Sequence, residues 1–199
     1  MGLKLMKPKK KNDLIRIAIA GGSGSGKSAI AEKIKKKLKK IPVEIVKLDR
    51  FFKPVSKLPK YRSKYLQKYC SDFNRPKSFK VKEMISSCKK MKGSKVIIFD
   101  GHFALYFPKL RKLFDIKCFV DAKIPEMLFR RTKRNLANKY GGSREVILNY
   151  NKECVIPRFK KYILPTRKYA DIIIPNFKSS KERRDKIIDS ICRKILGTF

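Results

Sequence analysis

The sequence predicts an α/β protein of three layers, in which a mainly parallel five-stranded sheet is held between helices. Two observations predict it. Short apolar runs rich in β-branched residues alternate with longer segments of helical periodicity, the pattern of a parallel sheet whose strands are buried on both faces. The first of these runs leads straight into a glycine-rich segment and then a helical pattern, the strand–loop–helix order of a phosphate-binding unit.

In chain order, Leu14, Ile15, Ile17, Ala18, Ile19 and Ala20 form the first strand, followed by Val43 to Leu48, Val96 to Phe99, Ile116 to Val120 and Ile172 to Ile174. Helices are expected at about 27–40, 80–91, 125–138, 143–161 and 179–196. The stretch from Lys53 to Ser78 has aromatics, prolines and lysines without a clear period, and reads either as a lid-like loop or as short helices over a pocket.

A chain of 199 residues can bury one substantial core, so a single domain is expected over 13–199, preceded by a flexible basic segment at 1–12. The hydrophobic fraction of 42% argues against disorder. With 53 basic and 16 acidic residues the net charge is +37, which attracts nucleic acid and other polyanions without specifying any of them. One lysine run, Lys33, Lys35, Lys36, Lys37, Lys39 and Lys40, is interrupted by Ile34 and Leu38 at helical spacing and reads as a solvated helix face or a polyanion patch. The other, Lys7, Lys9, Lys10 and Lys11, lies in the basic amino-terminal segment. Five dispersed cysteines, odd in number and never at metal-site spacing, read as reduced thiols. With no membrane-length apolar run and no signal-type leader, a soluble cytoplasmic protein is expected.

Gly21-Gly22-Ser23-Gly24-Ser25-Gly26-Lys27-Ser28 satisfies G-x-x-x-x-G-K-[ST] between a buried strand and a helix, the most specific signal in the chain. Its glycines let successive N–H groups point at phosphate oxygens, and the helix start adds its positive end. Lys27 is placed to reach the β and γ phosphates, and Ser28 to reach magnesium.

Asp100 ends the buried strand Val96 to Phe99, where a carboxylate can hold magnesium beside the phosphate loop or merely cap a turn with Gly101. Asp49 follows the second strand at the same sheet edge, as a proton acceptor or as a helix cap. His102, the one histidine, reads as an acceptor contact or as a structural residue. Arg131 and Arg134 share a helix face and can clamp phosphate oxygens, although in so basic a chain they can equally be solvated charges.

These pieces, in this order, resemble the uridine kinase family of P-loop kinases over residues 14–176. Asp49-Arg50-Phe51-Phe52-Lys53 is similar to the family's D-x-F-[YF]-[KR] segment, Asp72-Phe73-Asn74-Arg75-Pro76 falls at its N-F-D-H-P, and Asp100-Gly101 stands at its E-G. Further matches are Leu113-Phe114 to Phe119-Val120-Asp121, the pattern Arg130-Arg131-x-x-Arg134, and Leu164-Pro165-Thr166-Arg167-Lys168-Tyr169-Ala170-Asp171-Ile172-Ile173-Ile174-Pro175.

The resemblance implies the P-loop NTPase fold with a helical lid, ATP and magnesium as cofactors, and transfer of the γ-phosphoryl group to a small-molecule hydroxyl, foremost the 5′-hydroxyl of a nucleoside. It implies Asp49 as general base, Ser28 and Asp100 at magnesium, Arg131 and Arg134 on the lid helix acting with Lys27, and Asn176 near adenine. Phe52, Asn74, Arg75, His102, Arg134 and Tyr150 fall on the acceptor side.

The chain departs from the family pattern where the acceptor is read. Between the N-F-D-H-P position and the E-G strand, members that act on uridine and cytidine carry a long base-reading hairpin, whereas here Ser78 to Lys95 is expected to form one helix. Asn74 replaces the ribose-binding aspartate, Arg75 its histidine neighbour and Tyr150 a glutamine. Arg75 can favour an acceptor bearing an acid or phosphate. Asp49 to Pro54 also looks like nicotinamide riboside kinases, which lack the hairpin. The charge keeps two further readings open, a nucleotide-regulated nucleic-acid-binding protein and a 5′-hydroxyl polynucleotide kinase. The sequence does not specify the oligomeric state.

Overall fold

The computed structural model describes residues 14–199, so the basic segment expected at 1–12 lies outside the described residues. Strand β1 (Ile15–Ala20) occupies the centre of a five-stranded sheet, flanked on one side by β5 (Val96–Asp100) and then β2 (Val43–Lys47), and on the other by β6 (Ile116–Asp121) and then β7 (Ile172–Pro175). All four pairings are parallel. Their register puts Ile19 and Lys47 level with Asp100, so the carboxyl ends of β1, β2 and β5 open onto one edge.

The alternation of side chains along each strand builds two cores. Ile15, Ile17 and Ile19 pack with Ile30, Ile34 and Leu38 of the first helical segment and with Ile188, Ile191 and Ile195 near the carboxyl end. Ala18 and Ala20 face the opposite way, into a core holding Phe99, Phe103 and Phe119. A strand covered on both faces has no polar side, so the strands read as unbroken apolar runs and the three-layer arrangement follows.

Helix α1 (Lys27–Lys37) buries Ile30, Ala31 and Ile34 and turns Lys35, Lys36 and Lys37 outward. Lys33 and Lys37 pair with Asp185 and Asp189 at 2.7 and 2.6 Å, on a helix at Lys181–Leu196, while Lys35, Lys36, Lys39 and Lys40 are exposed, as both a solvated face and a polyanion patch require.

The stretch 53–78 is more ordered than a loop and less helical than the alternative reading. It forms a 3₁₀ turn at Val55–Lys57, an antiparallel hairpin of β3 (Lys60–Arg62) and β4 (Tyr69–Ser71), and a second 3₁₀ turn at Pro76–Ser78. Three-residue strands show too little alternation to be legible, and the connection lacks the Asn-Gly or Asp-Gly signal of a tight hairpin turn. Helix α2 (Val81–Lys90) fills the interval before β5, as expected. The short helix α3 (Pro108–Arg111) was not expected.

Helix α4 (Ile124–Ala137) starts with Pro125 and Glu126 in its first turn, a favourable composition for that end. Helix α5 (Arg144–Tyr150) is capped by Ser143, whose Oγ accepts from the Val146 N–H at 3.4 Å. The chain then runs through a π-helical stretch Asn151–Val155, α6 (Ile156–Arg158), a second π stretch Phe159–Ile163 and a 3₁₀ segment Leu164–Tyr169. Pro157 has no N–H to give to the helical ladder, and the widened turns flank it. Helix α7 (Lys181–Leu196) closes the fold.

Candidate active site

The phosphate loop needs glycine at two positions for distinct reasons. Gly24 has φ +83°, and a Cβ there would lie 2.1 Å from the Met127 carbonyl oxygen; Gly26 has φ +96°, and a Cβ there would meet the Asn176 side-chain nitrogen at 2.1 Å. Gly26 also caps α1 without a side-chain hydrogen bond, so the first amides of that helix keep their donors for an anion. Lys27 Nζ donates to the Gly22 carbonyl at 2.9 Å, across the loop. Burial lowers its pKa, while the charges of Asp100 and Asp49 push the other way.

Ser28 Oγ donates to Asp100 Oδ2 at 2.5 Å. A hydroxyl and a carboxylate side by side are hard oxygen donors of the kind magnesium takes, and the pair therefore fits a magnesium ion at the foot of the loop. Asp49 sits in a 3₁₀ turn (Leu48–Phe51) directly after β2, with its side chain 63% exposed. Its Oδ1 lies 3.6 Å from His102 Nδ1. Burial depresses the His102 pKa to about 4 against the opposing pull of Asp49, so the imidazole is neutral near pH 7. His102 Nε2 is buried and, among the described residues, meets no hydrogen-bond partner within 3.5 Å.

From α4, Arg131 donates through one terminal nitrogen to Asn151 Oδ1 at 2.6 Å and lies over the Tyr150 ring at 5.3 Å. Burial lowers its pKa, and its Nε has no hydrogen-bond partner among the described residues. Arg134 reaches Ser23 Oγ of the phosphate loop at 3.4 Å. Arg130 points elsewhere, to Glu126 at 2.6 Å and the Asn176 carbonyl at 3.0 Å.

These groups open into one cavity of about 820 Å³. It is lined by Ser23, Lys27, Ser28, Asp100, Arg131 and Arg134 together with the aromatic and polar side chains Phe52, Tyr61, Phe73, Asn74 and Tyr150. Asp49 and His102 line it too; the charge of Asp49 acts on Lys27, and the His102 ring lies 6.0 Å from that of Phe52. Asn74 donates to the Tyr150 hydroxyl at 2.9 Å, and Phe52 packs on Phe79 and Phe73 at 4.2 and 5.4 Å. The segment from Arg131 to Tyr150 also lines the cavity, and through Arg134 it touches the phosphate loop.

Arg75 and Asn176 fall outside this cavity, as do Gly21, Gly22, Gly24, Ser25 and Gly26 of the loop. Arg75 donates to Asp72 at 2.7 Å and does not line it, so an acidic acceptor gains no partner there. Asn176 supports the phosphate loop from behind: its amide donates to the Ser25 carbonyl at 2.6 Å while its oxygen accepts from Arg184 at 2.7 Å. Gly21, Gly22, Gly24, Ser25 and Gly26 shape the loop, and among these Ser25 is fully buried.

Sequence reasoning missed Asp72, which is fully buried and accepts from Arg75, Arg158, the Asn74 N–H and the Cys154 thiol. It also missed Tyr61, Asn151 and Glu153, whose partners lie 19 to 90 positions away. No local pattern marks such residues.

The sequence model of the Phosphoribulokinase / Uridine kinase family matches residues 16–92 and 65–182. The chain is 30% identical over 204 residues to uridine-cytidine kinase B of Dictyostelium discoideum, covering 90% of this chain and 82% of that protein. It is 29% identical over 205 residues to a uridine kinase of Clostridium perfringens, covering 93% and 98%. Among solved structures, a shikimate kinase from Bacteroides thetaiotaomicron superposes with a TM-score of 0.55 at 18% identity, over 93% of this chain and 99% of that one, a likeness of fold.

Proposed function

The chain belongs to the phosphoribulokinase/uridine kinase family, and we propose that it is an ATP-dependent kinase that transfers the γ-phosphoryl group to the 5′-hydroxyl of a nucleoside. The observation that carries this reading is one cavity lined both by Ser23, Lys27, Ser28, Arg131 and Arg134 and by Phe52, Tyr61, Phe73 and Tyr150, with Asp49 in its wall.

In this reading the amides of residues 21–28 and Lys27 hold the ATP phosphates, and Arg131 and Arg134 neutralise charge on the transferred oxygens. Asp49, beside neutral His102, orients the acceptor hydroxyl and takes its proton. Ser28 and Asp100 would hold magnesium, which supplies neutralisation of the phosphate oxygens when bound. Phe52, Asn74 and Tyr150 contact the acceptor, and His102, which lines the same cavity, gives it one more polar contact. The proposed setting is the cytoplasm; all five cysteines are free thiols, and no helix among the described residues is long and apolar enough to cross a membrane. The charge of +37 supports salt-sensitive, sequence-blind polyanion binding alongside the reaction.

A second acceptor is favoured by one observation: α2 fills the interval where uridine-reading members carry their hairpin, which supports a nicotinamide riboside-like acceptor. ATP consumption with magnesium, measured against uridine, cytidine and nicotinamide riboside with Asp49→Asn as control, tests both. Asp49-dependent turnover on uridine or cytidine supports the first reading, and turnover on nicotinamide riboside alone replaces it with the second. No turnover on any nucleoside overturns both.

A further inference from the structure

Glu153 lies in the π-helical stretch after α5, yet its carboxylate serves the distant hairpin. It accepts from Ser63 Oγ at 2.7 Å, from the Lys64 N–H at 3.0 Å and from the Tyr65 N–H at 3.0 Å. Ser63 Oγ in turn accepts from the Leu66 N–H at 3.1 Å, so this one carboxylate orders the start of the connection between β3 and β4. Bonds from neutral donors to an ionised acceptor are about twice as strong as neutral pairs. A two-stranded hairpin with three residue pairs has little stability of its own, and what holds it in place decides where its side chains point.

Those side chains form a wall of the cavity: Tyr61, Tyr65, Leu66 and Cys70 line it beside Phe73. The same helical turn also carries Tyr150, which meets the Tyr61 ring at 5.8 Å and accepts from Asn74, and Asn151, which accepts from Arg131 at 2.6 Å. Asn151 is itself anchored, its amide donating to Thr132 Oγ1 at 3.0 Å. Four consecutive residues, 150–153, therefore contain the holders of both the acceptor wall and the phosphate-clamping arginine. Widened π turns inside helices recur at functional sites because they redirect neighbouring side chains in this way.

We propose that Glu153 is a positioning residue for the phosphoryl acceptor: it seats the β3–β4 connection so that Tyr61, Tyr65 and Leu66 form the wall against which the acceptor's distal planar group rests, in register with Arg131. This rests on the kinase reading above. In this chain the hairpin that reads the acceptor precedes the Asp72–Pro76 segment, and Glu153 supplies its latch.

The test is steady-state kinetics of Glu153→Gln, Glu153→Ala and Tyr65→Ala on the best nucleoside acceptor, varying acceptor and ATP separately. Losing the charge-assisted bonds is expected to raise the acceptor KM about tenfold in Glu153→Gln and further in Glu153→Ala, with the ATP KM within about twofold. Tyr65→Ala, at a half-exposed position that leaves the latch intact, is expected to raise the acceptor KM as well. An unchanged acceptor KM in a folded Glu153→Gln protein overturns the proposal, and so does an equal rise in the ATP KM. If neither Glu153 variant folds, an unchanged acceptor KM in Tyr65→Ala overturns it. A wild-type protein inactive on every nucleoside overturns the kinase reading and this inference together, whereas an active wild type with insensitive variants overturns this inference alone.

Discussion

The carboxylate of Asp72 and the guanidinium of Arg158, 86 positions apart, meet at 3.0 Å. Burial alone would raise the Asp72 pKa, but donors from Arg158, the Asn74 N–H, Cys154 and Arg75 hold it below its ordinary value. Removing one member of a buried pair leaves the others without a partner, and that is the costly change. Asp72→Ala is expected to lose on the order of 3 kcal/mol of folding stability, read as a lower urea midpoint at unchanged slope.

The same carboxylate sets an acid limb. Its pKa is lower folded than unfolded, so its stabilisation is complete above the ordinary carboxylate range and is lost as pH falls through the lowered folded value. Urea midpoints measured from pH 6 downward are expected to fall less steeply in a folded Asp72 variant than in the wild type.

The Asp49 side chain is 63% exposed to solvent, and among the described residues its one ion-pair contact within 4.0 Å is to His102, so its replacement should not disturb the fold. Asp49→Asn removes the proposed proton acceptor and is expected to lower kcat about 10²- to 10⁴-fold with the ATP KM within about twofold. Equal circular dichroism spectra of the two proteins would assign the loss to chemistry.

Ser28 and Asp100 act as a pair through their 2.5 Å contact. Ser28→Ala and Asp100→Asn are each expected to raise the magnesium concentration giving half-maximal activity, and the double variant to lose less than the sum of the two, because in the proposed reading both groups hold the same ion. A magnesium titration of turnover checks it, alongside ATP binding with and without the metal.

Much of this site was legible because its signals are local. The glycines at 24 and 26, Lys27 and Ser28 occur in one eight-residue pattern, and Asp49 and Asp100 announce themselves by ending apolar runs. A parallel sheet then puts both carboxylates on the edge where β1 enters the phosphate loop. Arg75 and Asn176 were harder. Both sit in segments that match the family, but a match in sequence does not say which way a side chain turns; Asp72 takes the first, and the Ser25 carbonyl and Arg184 take the second.

By itself the sequence determined the layers, the strand order's raw material and the phosphate-binding chemistry, since periodicity, glycine conformation and strand-end carboxylates act over a few residues. Only the tertiary structure decided the acceptor side. The hairpin of β3 and β4 has strands too short to show a period, and Glu153 becomes its latch only when the turn after α5 is brought to Ser63. A hydrogen bond over 90 positions costs its donors and acceptor nothing in local pattern, so no local pattern records it.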